Sequence, residues 1–256
     1  MIGTARRAAD LPPPPADLLE RASLFVDFDG TLVDFAPHPD QVRVDDALRD
    51  LLVRLAAYLG GRLAVISGRP LDQLARLLSP LMLPLVGSHG LEWRLPDGRE
   101  IRPPADPALD GAVERARVFA TTHGLGLEVN PYGVALHSRL VPDKAEAASD
   151  FFATLAATTG LSLQHGARVS ELCTPGGDKG SGLRRMMREP LFALGRPVMV
   201  GDDLTDEHGF GAANADGGSS VHVGQSGQTL AQFAVPSVER LHQWLTSILN
   251  PGSTAR

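Results

Sequence analysis

From Leu24 to Phe35 the chain reads LFVDFDGTLVDF. An apolar run, Leu24-Phe25-Val26, is driven into two carboxylates, Asp27 and Asp29, with Gly30 and Thr31 directly behind them. Like charges held this close repel, so the pattern is costly unless a counter-charge or a ligand offsets it. Few folds use a strand this way. A strand buried on both faces of a parallel sheet does, because ligands bind at the carboxyl ends of such strands.

Three further runs have the same form. RLAVISGR ends in Ser67, Gly68 and Arg69, PLVGSHG ends in His89 and Gly90 with Glu92 close behind, and PVMVGDD ends in Asp202 and Asp203 with Asp206 a little further on. Helical periodicity lies between them, over Asp45 to Tyr58, Leu71 to Leu78 and Lys179 to Met187. Strand, helix, strand in succession predicts a layered α/β domain.

The middle of the chain reads differently. DGREIRPPADP is a Pro-rich break, followed by a helical stretch from Ala108 to His123. LGLEVNPYGVALHSR predicts two strands joined at Pro131-Tyr132-Gly133, and a helix follows from Asp143 to about Thr158. Short strands are expected near LSLQHG and RVSELCT, and TPGGDKG returns the chain to the first domain. Strand pairs beside helices suggest an inserted α+β module of roughly 70 residues. The expected division is a loose leader over 1–22, a core of 23–103 with 177–248, an insertion over 104–176 and a loose tail over 249–256. The leader, MIGTARRAADLPPPPADLLE, is expected to be extended and poorly packed because of its prolines.

Composition sets outer limits. The 256 residues are 43% hydrophobic, enough for one large domain or two smaller ones. A net charge of -6 disfavours nucleic acid or a membrane surface as main partner. One cysteine, Cys173, excludes an intrachain disulfide and fits a reducing compartment. No run approaches the roughly 20 apolar residues that span a bilayer, and the N-terminal stretch has no apolar core of a secretory signal. The expectation is a cytoplasmic monomer acting on a small molecule.

If the strands are parallel neighbours, Asp27, Asp29, Asp202, Asp203 and Asp206 converge on one crevice. Mg²⁺ suits such a cluster, being a hard cation held by one or two carboxylates with water and substrate phosphate. Lys179 adds a point charge for phosphate. The hydroxyls of Thr31 and Ser67, and the N–H groups around Gly30 and Gly68, are donors for phosphate oxygens. One aspartate then serves as nucleophile and another as proton shuttle. Plainer readings stand beside these. The two aspartates could close an Asx-rich turn. Ser67 could cap a helix with Pro70 near its first position. Lys179 could be a solvated lysine at a helix start. His89 and Glu92 could belong to a structural turn. His137 and Arg139, two apart on a strand, share a face that could simply be solvated. Cys173 reads as a small buried residue, with no base beside it.

DFDGTL, SGR, the isolated Lys179 and GDD, in that order, resemble the four motifs of the haloacid dehalogenase superfamily of phosphohydrolases. GDDLTDEHGF and GSHGLE narrow the resemblance to the trehalose-6-phosphate phosphatase family, from about Leu24 to Trp244. The resemblance implies a Rossmann-like parallel-sheet core with a mobile α+β cap inserted between the second and third motifs. It implies that Asp27 is the nucleophile and Asp29 the general acid/base. Asp27 and Asp202 would ligate Mg²⁺ by their side chains and Asp29 by its carbonyl, with Asp203 and Asp206 in support. Gly30, Thr31, Ser67, Gly68 and Lys179 would hold phosphate. Arg69, His89 and Glu92, and in the cap Glu128, His137, Arg139 and Glu171, would meet the sugar, the last four matching the patterns E-x-K…H-x-R and V-x-E. The chain departs from those patterns at Asn130, where the family commonly has Lys, and at Cys173, which is often basic. The implied reaction is Mg-dependent hydrolysis of trehalose 6-phosphate through an aspartyl-phosphate. Another phosphorylated disaccharide or pseudodisaccharide, a phosphomutase reaction and a non-enzymatic sensor are the alternatives. Retention of Asp27, Asp29, Lys179 and Asp202 argues against the sensor.

Overall fold

The computed structural model describes residues 5–35, 41–166 and 168–250. The chain divides into two compact units, Met1–Ile101 with Asp178–Asp202 and Asp206–Arg256, and Arg102–Gly177 with Asp203–Thr205.

The first unit opens with β1 (Arg6–Arg7), β2 (Ala22–Asp27), α1 (Asp46–Tyr58), β3 (Leu63–Ile66), α2 (Leu71–Leu78), β4 (Leu85–Gly87), β5 (Glu92–Arg94) and β6 (Glu100–Ile101). The second unit holds α3 (Ala108–His123), β7 (Gly126–Asn130), β8 (Gly133–His137), α4 (Ala145–Thr159), β9 (Ser162–Gly166) and β10 (Val169–Cys173). The chain then completes the first unit with α5 (Lys179–Met186), β11 (Arg196–Gly201), α6 (Asp206–Ala215), β12 (Ser219–Val223), β13 (Gln228–Thr229), β14 (Phe233–Val235) and α7 (Val238–Leu249).

The main sheet has eight strands in the order β14-β12-β11-β2-β3-β4-β5-β6. Neighbours run parallel from β14 to β4 and antiparallel across β4-β5-β6. β2 is the point where strand order reverses, with β3 and β4 on one side and β11, β12 and β14 on the other. That reversal opens a crevice at the carboxyl ends of β2 and β11. Every residue of β2 is buried, which explains the apolar run Leu24-Phe25-Val26 within it. Leu24 and Val26 pack into a cluster with Leu52 and Leu55 of α1 and Leu241 and Leu245 of α7. Phe25, between them, points to the other face, where Leu183 and Met186 of α5 and Phe210 of α6 form a second cluster. The sheet is thus covered by helices on both faces.

The second unit is a four-stranded antiparallel sheet, β7-β8-β10-β9. Val134, Leu136 and Leu172 pack on one face against Ala116 of α3 and Phe152 and Leu155 of α4. Opposed residues share a face, so the register Glu128↔Ala135↔Glu171↔Gln164 and Asn130↔Gly133↔Cys173 puts Glu128, Asn130, Glu171 and Cys173 on the face opposite those helices.

Three expectations need correction. The Pro-rich leader is not poorly packed. β1 pairs with β13, Ala8 and Leu19 are buried, and the carbonyl of Pro12 accepts from Ala234 N. Arg139 does not share a strand face with His137, because β8 ends at His137 and a turn follows, closed by Val141 N donating to Ser138 O. The helix expected from Asp143 begins as a 3₁₀ turn, Pro142–Lys144, before α4. Of the expected tail, Leu249 ends α7 and Asn250 caps it, and residues 251–256 lie outside the described residues. Among the described residues, no helix is long and apolar enough to cross a membrane.

Candidate active site

Asp27 ends β2 and Lys179 begins α5. Neither is on the surface, at 4% and 3% exposure. Lys179 Nζ donates to Asp27 Oδ1 at 2.7 Å and to Asp206 Oδ1 at 2.8 Å. Its helix is fixed by a capping box, with the Asp178 carboxylate accepting from Ser181 N and the Ser181 hydroxyl accepting from Asp178 N. Asp206, fully buried in the first turn of α6, accepts from Asp202 N at 3.0 Å through Oδ2. Thr31 Oγ1 donates to Asp202 Oδ1 at 2.8 Å. Ligand oxygens of Asp27, Asp202 and Asp206 all lie within 4.8 Å of one another. The plain reading of Lys179 as a solvated lysine is therefore wrong, and the two outer motifs meet as the strand pattern predicts.

Glycine is required at two places here. Gly30 has φ +87°, and a Cβ on it would lie 2.3 Å from Asp202 Oδ2. A Cβ on Gly201 would lie 2.1 Å from Asp206 Cγ. The backbone approaches these carboxylates so closely that no side chain fits.

Asp29 is partly exposed and is held by Arg69, whose Nε and Nη2 donate to its two carboxylate oxygens at 2.5 and 2.7 Å. The guanidinium also stacks 5.7 Å from the centre of the Phe28 ring. Arg69, expected to meet the sugar, is thus a partner of Asp29. Ser67 does not cap α2, whose N-cap is Pro70. The Ser67 hydroxyl instead accepts from Arg69 N at 3.2 Å. The His89 ring abuts Gly68, where a Cβ would lie 2.6 Å from Cε1 and Nε2.

Glu92, also expected to meet the sugar, is 1% exposed. Its Oε2 accepts from Leu71 N at 3.0 Å and from Ser88 Oγ at 2.7 Å. Asp203 accepts from both the N–H and the hydroxyl of Thr205, closing a local turn.

In the second unit, His137 Nε2 and Glu128 Oε2 are 3.0 Å apart. Asn130 Nδ2 donates to Glu171 Oε1 at 3.2 Å, while Asn130 Oδ1 accepts from Tyr132 N. Cys173 is buried, and burial, helped by the charge of Glu171 nearby, pushes its thiol far above the ordinary range. It stays protonated and is no nucleophile. Sequence reasoning missed Ser88, and also His242 of α7, which lies 3.0 Å from the carbonyl of Leu32 just after the aspartates. His242 carries no local signal, because its contact depends on the closed fold, whereas Ser88 lies four residues before Glu92 in GSHGLE.

A family model described as trehalose-phosphatase matches residues 25–238. The trehalose-6-phosphate phosphatase of Escherichia coli (strain K12) is 37% identical over 235 residues, covering 91% of this chain and 88% of the relative. A probable trehalose-phosphate phosphatase of Sinorhizobium fredii is 36% identical over 228 residues, covering 87% and 86%. The fold also matches the C-terminal domain of the C. albicans trehalose-6-phosphate phosphatase, with a TM-score of 0.84 at 21% identity over 95% of this chain and 100% of that one.

Proposed function

We propose, since the chain belongs to the trehalose-phosphatase family, that it is the phosphatase that hydrolyses trehalose 6-phosphate to trehalose and phosphate through an aspartyl-phosphate on Asp27. The observation that carries this reading is the group formed at the carboxyl ends of β2 and β11 by buried Asp27 and Asp206, both bonded to Lys179, with half-buried Asp202 beside them. Three carboxylates whose hard oxygen donors lie within 4.8 Å of one another suit Mg²⁺. The side chains of Asp27 and Asp202, with the carbonyl of Asp29, would hold it. When bound, it supplies charge neutralisation at the phosphate oxygens.

The chain's own groups do the rest. Asp27 attacks phosphorus, forming a carboxyl O–P bond as the bond to the sugar oxygen breaks. Asp29 delivers a proton to the departing sugar oxygen, then takes one from the water that attacks the aspartyl-phosphate. Phosphate leaves and Asp27 is restored. Lys179, the Ser67 hydroxyl and the Gly68 N–H hold the phosphate, while Gly30 and Thr31 join only by giving up the bonds that the Gly30 N–H makes to Val33 O and Thr31 Oγ1 makes to Asp202 Oδ1. Arg69 orients the Asp29 carboxylate, which its paired bonds support. The second unit is assigned the role of cap, with Glu128, His137, Arg139 and Glu171 meeting the sugar. The single cysteine supports a cytoplasmic setting.

A second reading keeps the chemistry and changes the sugar. It is favoured by Asn130, an uncharged side chain bonded to Glu171 where a cation is common, and by the buried, uncharged Cys173. Phosphate release from a panel of sugar phosphates, with and without Mg²⁺, tests both. Trehalose 6-phosphate should be hydrolysed fastest, and only with the metal. A faster phosphorylated disaccharide would establish the second reading, and an isomerised sugar phosphate in place of free phosphate would overturn both.

A further inference from the structure

We infer that Glu92 is a positioning residue that holds the Ser67-Gly68-Arg69 loop in place for phosphate, and is not a sugar contact. The inference rests on the reading of Ser67 and Gly68 as phosphate donors. It starts from a helix that lacks its own cap. α2 begins after Pro70, with no side-chain hydrogen bond at that N-cap, so the Leu71 N–H needs an acceptor from elsewhere. Glu92 supplies it through Oε2, and the same oxygen accepts from Ser88 Oγ. A carboxylate at a helix N-terminus is also favoured by the helix dipole. β5 pairs Glu92 with Gly87 of β4, so the sheet itself delivers the carboxylate to this spot.

The turn that Glu92 grips is strained. Ser88 and His89 have φ of +46° and +56°, a conformation that side chains rarely adopt. Such residues persist only where their surroundings over-determine them. Here three backbone bonds join the turn and the strand before it to the phosphate loop. Ser88 N donates to Arg69 O at 2.9 Å, and His89 N donates to Ser67 O at 3.0 Å. Ser67 N donates to Val86 O, in the strand just before the turn. The His89 ring fills the space over Gly68. A Cβ on Gly87 would lie 2.8 Å from Leu71 N, so the turn and the helix start are in direct contact. One buried carboxylate therefore joins the strained turn to the helix start, and the loop between them inherits its position. Arg69, and through it Asp29, is set by the same brace.

The test compares Glu92→Ala, Glu92→Gln and Ser88→Ala with the wild type on trehalose 6-phosphate and on an aryl phosphate, together with inhibition by inorganic phosphate. Misplacement of a reacting group by about 1 Å costs roughly 100-fold in rate, so Glu92→Ala should lower kcat/KM by roughly 10–100-fold. The loss should be equal for both substrates, because both use the loop, and phosphate should inhibit less well. Glu92→Gln keeps an acceptor oxygen and should recover most of the loss. If Glu92→Ala does not fold, Ser88→Ala removes only one of the two bonds and should show the same equal loss in smaller measure. A loss confined to trehalose 6-phosphate, with aryl turnover and phosphate inhibition intact, would overturn the inference and restore Glu92 as a sugar contact. Ser67→Ala, run alongside, separates the two layers. If Ser67→Ala leaves phosphate inhibition unchanged, the phosphate reading of the loop fails and the brace with it. If Ser67→Ala weakens inhibition while Glu92→Ala is silent, the brace alone is wrong.

Discussion

Lys179 Nζ lies 2.7 Å from Asp27 Oδ1, with side-chain exposures of 3% and 5%. The end of the central strand and the start of a helix, far apart in sequence, thus meet as a buried ion pair. Breaking such a pair from one side leaves a buried charge uncompensated, which costs about 3–5 kcal/mol. Lys179→Met should therefore lower stability by an amount of that order, read as a reduced urea midpoint. It should also remove turnover of sugar and aryl phosphates alike, since both present the same phosphate. Aryl turnover at the wild-type rate would remove Lys179 from the phosphate site.

The cluster of Asp27, Asp202 and Asp206, two of them bonded to that lysine, makes metal dependence the next expectation. Excess chelator should abolish phosphate release, and added Mg²⁺ should restore it. Ca²⁺ should restore it poorly, because it takes more ligands at longer distances than Mg²⁺. Phosphate release in chelator at the original rate would rule out a metal in the cycle.

The close approach at Gly30 gives a prediction of its own. Alanine there must adopt φ +87° and put a methyl 2.3 Å from Asp202 Oδ2. Gly30→Ala should displace the Asp202 carboxylate and remove most activity, with a stability loss of about 1–3 kcal/mol from backbone strain. Thermal unfolding and turnover on an aryl phosphate check the two effects separately.

Much of this arrangement was legible from strand ends. Apolar runs stopping at Asp27, Ser67 and Asp202 predict buried parallel strands, and a parallel sheet gathers their carboxyl ends. Local patterns could not report partners brought in by the closed fold. Arg69 reads as a substrate residue until the sheet places Asp29 beside it. Glu92 reads as a sugar contact or as part of a structural turn until β5 folds back along β4 and carries it to the start of α2. The leader reads as loose because of its four prolines. Its packing comes from pairing with β13 and burial of Leu19, both non-local. At Arg139 the alternating pattern of a strand was followed two residues past the point where β8 gives way to a turn.

Asp29 and Arg69 form paired bonds of 2.5 and 2.7 Å. If Asp29 protonates the departing sugar oxygen, its loss should matter most when the leaving group is a poor one. Asp29→Asn should reduce turnover of a sugar phosphate far more than that of an activated aryl phosphate, which needs little protonation. Arg69→Ala should show the same bias in weaker form, since it frees the carboxylate from its orientation without removing it. Equal losses on both substrates for Asp29→Asn would argue against its role as general acid.

The sugar must be read by groups that touch it, because a core binding phosphate and metal treats all phosphomonoesters alike. Glu128 and Glu171 stand on the sheet face opposite Val134, Leu136 and Leu172, so truncating them leaves that apolar cluster intact. Each is already paired, Glu128 with His137 and Glu171 with Asn130, and these pairs orient the carboxylates. A site built to pair hydroxyls penalises an unpaired buried group by roughly 1–3 kcal/mol. Glu128→Ala and Glu171→Ala should therefore impair sugar-phosphate turnover while sparing an aryl phosphate. Asn130→Lys decides between the two substrates. If the native ligand is trehalose 6-phosphate, the added ammonium should lower its KM or leave it unchanged. If Asn130 marks a different phosphorylated disaccharide, the same change should raise the KM of that ligand and lower the KM of trehalose 6-phosphate. Sugar-to-aryl ratios that stay constant across all three variants would show that this face does not read the sugar.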